Sequence, residues 1–109
     1  MSGSFEDRRK GQEAKWAHDE ELRFKITARR NKLLGLWAAA EMGRTDAEAY
    51  AKEVVKADFE EPGDEDVFRK IKSDFEAAKI ARSDHFIHGK MEELLAVAAD
   101  QVMHEAGKN

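Results

Sequence analysis

The sequence predicts an all-α protein, a four-helix bundle preceded by a disordered N-terminal arm. Three observations predict it. First, residues 19–109 carry apolar residues at helical spacing, in four runs separated by short breaks. Second, Ala, Glu, Lys, Leu and Arg dominate, Pro occurs once, and Val, Ile and Thr never form alternating runs. Third, residues 1–18 hold two large aromatics, Phe5 and Trp16, and little else that could enter a core. The expected division is an arm over 1–18 and a bundle over 19–109.

The first helix is expected from Asp19 to Met42. Its stripe is Leu22, Ile26, Leu33, Leu36, Trp37 and Ala40. Asp19 is the expected N-cap, Glu20 and Glu21 suit the positive end of the helix dipole, and Gly43 is the expected stop. The second runs from Asp46 to Phe59. Thr45 and Glu48 have the spacing of a reciprocal cap, and the buried face should hold Ala47, Tyr50, Ala51, Val54 and Val55. The run Glu60–Glu61–Pro62–Gly63 ends it.

The third helix is expected from Glu65 to Ala81, capped by Asp64, with Val67, Phe68, Ile71, Phe75 and Ala78 inward. Ser83 or Asp84 caps the fourth, which reaches Glu105 and buries Ile87, Met91, Leu94, Leu95, Ala98 and Val102. The connections are short, so successive helices are antiparallel neighbours, with the first and fourth the longer pair. Gly35 and Gly89 sit inside helices at roughly 1 kcal/mol each relative to Ala. Close helix contact is the expected reason for both.

Charged residues make up 39 % of the 109, and the net charge is -4. That balance argues against nucleic acid as a partner. Residues 44–109 carry -6, so the front is slightly cationic and the back acidic. The chain has no cysteine, which fits a reducing cytoplasm. No apolar run is long enough to span a membrane, and none follows the basic N-terminus as in a secretory signal. Direct membrane insertion is therefore not expected.

If residues 4–18 became helical, Phe5, Arg9, Gln12 and Trp16 would share a face. The two aromatics would project within roughly 20° of each other. Gly3 and Gly11 oppose a helix in the isolated arm, and a short helix is marginal in water. The arm is therefore expected to fold on a partner, at an ordering cost of about 1–2 kcal/mol per residue. Buried aromatics flanked by Arg are suited to return it.

Chemistry-bearing constellations are weak. His85 and His88, three apart beside Asp84, lack a third strong ligand, so no metal site is expected; His18 and His104 stand apart. Ser83, Asp84 and His85 point in different directions on a helix start, so no triad forms. His88-Gly89-Lys90 matches only the end of a phosphate loop, because Asp84 occupies the earlier glycine position. The acidic group Asp58, Glu60, Glu61, Asp64, Glu65 and Asp66 lacks the spacing of a calcium loop. Arg29, Arg30 and Lys32, with Arg23 and Lys25, could attract an anion such as a nucleotide phosphate, giving weak adenine nucleotide binding. Phe24 lies off the first stripe and either caps the core edge or meets the arm or a partner. Neither catalytic residues nor a cofactor are expected.

Longer strings carry a resemblance. EAKWAHDEELRFKITARRNKLLGLWAA (Glu13 to Ala39), DFEEPGDEDVFRK (Asp58 to Lys70) and FEDR (Phe5 to Arg8) resemble the zeta subunit, the ATPase inhibitor of alphaproteobacterial F-type ATP synthases. The resemblance implies a non-enzymatic inhibitor whose arm becomes a helix on the catalytic head. There it would wedge between a catalytic subunit pair and the central rotor and block ATP hydrolysis. By position the partner-binding residues would be Phe5, Arg8, Arg9, Gln12, Glu13, Lys15 and Trp16. One departure is Trp16, where the family usually has Phe. The implied location is the cytoplasmic face of the inner membrane, through the ATP synthase. The competing reading is a generic helical adaptor or a nucleotide-sensing regulatory module of another complex.

Overall fold

Asp19 turns the chain into its first helix. Its backbone is extended (φ -104°, ψ 106°), and its carboxylate accepts a hydrogen bond from the Leu22 amide at 3.0 Å. That bond satisfies one of the otherwise free amides of a helix start. The computed structural model describes residues 19–60 and 63–107, in which four helices and no strand occur. They are α1 (Glu20–Glu41), α2 (Ala47–Glu60), α3 (Asp64–Ala77) and α4 (Asp84–Gly107). The expected arm lies outside the described residues.

Gly43 ends α1 as expected. It adopts φ +70°, its amide bonds the Ala40 carbonyl at 3.1 Å, and the Arg44 amide closes on Ala39 at 2.9 Å. The expected Thr45–Glu48 cap is corrected. The Tyr50 amide bonds the Asp46 carbonyl, so Asp46 holds the cap position, with its carboxylate gripped twice by Arg44. Thr45 is one residue too early.

The third helix also differs from expectation. Gly63 (φ +145°), not Asp64, precedes it, because Asp64 is the first helical residue and turns to Arg30. The helix stops at Ala77, short of Ala81. Lys79 takes φ +62°, and the Ile80 amide returns to the Phe75 carbonyl at 2.8 Å. Ile80 packs on the core and anchors this turn, while Ala78 is exposed. Ser83 caps α4, accepting from the Phe86 amide at 3.0 Å, and that helix extends past Glu105 to Gly107.

α1 is the central element, packed on α2 and α4, with α3 resting more lightly on the other three. One core cluster joins Leu34 and Ala38 to Tyr50, Val54, Phe75, Ile87 and residues around them. A second joins Ile26 to Ala98, Ala99 and Val102, so the start of α1 meets the end of α4. Cover on two sides widens the buried band of α1 beyond the expected stripe. Arg30, Asn31, Leu34, Gly35, Ala38 and Ala39 are buried beside Ile26, whereas Leu36 and Trp37 are half-buried and Ala40 is exposed.

Gly35 lies where a Cβ would meet the Ala51 Cα at 2.6 Å, so α1 and α2 touch through backbone. Gly89 is different: nothing lies within 4 Å of such a Cβ. Close contact explains only the first.

Candidate functional site

Buried polar residues on α1 are the first departure from a plain apolar bundle. Arg30 is 2 % exposed. Its Nε donates to Asn31 Oδ1 and its Nη2 to Asp64 Oδ1, both at 2.8 Å. Asn31 Nδ2 donates to Asp58 Oδ2 at 2.8 Å, and Asp58 Oδ1 accepts from the Gly63 amide at 3.1 Å. This chain of bonds ties α1 to the end of α2 and the start of α3. Charge-assisted bonds in such a setting are stronger than neutral ones.

The predicted basic group is thereby separated. Arg29 donates to Gln101 and to Glu105, each at 2.8 Å, on the α4 side. Its guanidinium pKa is raised, first by the Glu105 hydrogen bond. Arg30 faces the α2–α3 turn. Lys32 is exposed beside α2. The three cations do not converge on one face.

The acidic group is likewise distributed. Asp58 and Asp64 belong to the network above, Asp66 pairs with Arg69, and Glu65 lies 3.5 Å from His88 Nε2. The His88 ring stacks flat on Phe68, with centroids 4.0 Å apart. His85 and His104 are exposed, and His18 lies outside the described residues. Asp84 pairs with Lys72 at 2.7 Å while Ser83 serves as a cap. Lys90 pairs with Glu93 and lies over the Trp37 ring. Among the described residues no group of three His, Cys, Asp or Glu side chains could hold a metal.

A further feature is a groove between α1 and α2. Phe24, Thr27 and Ala28 form one wall, Val55 and Phe59 the other, around a space of about 570 Å³. Phe24 is 60 % exposed and Phe59 72 %, the most exposed large apolar residues described. The groove starts at Glu20, where residues 1–18 join α1. A neighbouring lobe shares Val55 and Phe59 and is rimmed by Lys32, Lys52 and Lys56. Phe24 could be found in the sequence because it leaves the apolar stripe. Phe59 and the α2 lysines could not, since Phe59 reads as the last turn of an amphipathic helix.

The partner-binding residues expected in the arm, Phe5, Arg8, Arg9, Gln12, Glu13, Lys15 and Trp16, lie outside the described residues. No helix among the described residues is long and apolar enough to cross a membrane. A family model described as ATPase inhibitor subunit zeta matches residues 1–101. Curated proteins gave no match.

Proposed function

The chain belongs to the ATPase inhibitor subunit zeta family, and on that premise we propose that residues 1–18 stop ATP hydrolysis by an F-type ATP synthase. The arm enters the catalytic head, becomes a helix there and wedges between a catalytic subunit pair and the rotor. Residues 19–109 form the body that carries it. A rotary motor stops when a rigid object occupies a moving interface, so the inhibitor needs no catalytic group. Through this partner the protein sits on the cytoplasmic face of the inner membrane.

The observation that carries this reading is that the family match begins at residue 1 and so includes the arm. Two points support it. The core clusters among the described residues draw on Leu22 to Met103. As a helix, the arm would carry Phe5, Arg9, Gln12 and Trp16 on one face. Large aromatics and Arg are the residues that dominate interface energies. A segment that folds as it binds can cover a large surface and still be released.

The test is a titration of ATP hydrolysis by the cognate catalytic head. Phe5→Ala and Trp16→Ala should each weaken inhibition about tenfold or more. Neither should move the melting temperature of the body by more than about a degree. Wild-type potency in both variants contradicts the reading.

A further inference from the structure

The arm leaves one surface of the body unexplained. The α1–α2 groove begins at Glu20, the first residue after the arm and its cap. Its two large aromatics, Phe24 and Phe59, stand mostly in solvent, although the bundle has an interior that accepts Phe68 and Phe75. Their position is fixed by the fold. Asp58, beside Phe59, is held by Asn31 and by the Gly63 amide.

The charge of this surface also asks for a partner. Lys32, Lys52 and Lys56 rim the lobe that adjoins the groove, together with Glu48, and all four are exposed. Among the described residues none of the three lysines forms an ion pair, whereas Arg29, Arg30, Arg44, Arg69, Lys70, Lys72, Arg82 and Lys90 all do. Lys52 and Lys56 are four apart on α2, so they face the same way and repel each other. Like charges at this spacing weaken a helix. Glu48, four residues before Lys52, favours the helix, whereas the Lys52–Lys56 pair opposes it. A partner with carboxylates flanking an apolar ridge gains from both the lysines and the exposed aromatics.

We infer that the α1–α2 groove is a second docking surface for the ATPase catalytic head, taking an acidic segment with an apolar face next to the cleft that receives the arm. This rests on the reading of the arm given above. Arm and groove then act as two linked contacts, the first engagement raising the effective concentration of the second. The lysines steer the approach and make it sensitive to salt.

The experiment is inhibition of ATP hydrolysis by the cognate head, at low and at physiological salt, with three full-length variants. They are Phe24→Ala/Phe59→Ala, Lys52→Glu/Lys56→Glu and, as reference, Trp16→Ala. Both groove variants should need about tenfold more protein for half-inhibition, with melting temperatures close to wild type. The lysine variant should also lose most of the salt dependence. If both groove variants inhibit as wild type while Trp16→Ala is weakened, the second surface is refuted and the arm reading stands. If Trp16→Ala also inhibits as wild type, the arm reading falls with it. Sedimentation gives the remaining outcome: a wild-type dimer that Phe24→Ala/Phe59→Ala converts to a monomer assigns the groove to a second copy of this chain and overturns the inference.

Discussion

Tyr50 is fully buried, and its hydroxyl donates to Asp74 at 2.6 Å. Burial, followed by the Asp74 hydrogen bond and charge, pushes its pKa above the ordinary 10. A raised folded pKa means that stability is intact below pH 10 and falls as pH rises above it, because only the unfolded chain ionises there. Tyr50 is the sole tyrosine, so phenolate absorbance reports it alone. That absorbance should appear only together with loss of helical circular dichroism. A phenolate that titrates near pH 10 in the folded protein would contradict this environment. Lys79 gives a second test at this scale. It holds φ +62°, a conformation that suits glycine far better than a residue with a Cβ. Lys79→Gly should therefore stabilise the protein by about 1 kcal/mol in denaturant unfolding.

Between helices, Gly35 and Gly89 make a matched pair. Gly35→Ala forces a Cβ against the Ala51 backbone, so α1 and α2 must part. A loss of about 1–3 kcal/mol is expected. Gly89→Ala meets open space and should raise stability by up to about 1 kcal/mol through helix propensity. Thermal unfolding of both variants checks this, and equal effects would contradict it. The four helices of the described residues were legible in the sequence because each apolar run is long and bounded by Gly, Pro or a capping side chain. The inward face of α1 was only partly legible. Apolar periodicity cannot register Arg30 and Asn31, which are buried because Asp64 and Asp58 meet them from elements more than 25 residues away. The end of α3 was hidden for a related reason: a lysine does there what a glycine does at residue 43. Removing Arg30 leaves Asn31 Oδ1 without its donor, so Arg30→Ala should cost about 1–3 kcal/mol.

At the scale of the molecule, the sequence and the fold inform different parts of the account. Long strings of residues identify the family and direct attention to the arm. The groove and its adjoining lobe needed the fold, because they join Phe24 to Phe59 and Lys32 to Lys52 and Lys56 across two helices. The predicted cluster of Arg29, Arg30 and Lys32 shows the opposite effect, since neighbours in sequence are sent to three different surroundings. The central claim is that the body carries the inhibitor and the first 18 residues are the inhibitor. It is tested most directly by comparing the full chain with a chain lacking residues 1–18 in ATP hydrolysis by the cognate head. The shortened chain should keep the helical circular dichroism of the body and lose inhibition. Undiminished inhibition by the shortened chain would contradict the claim.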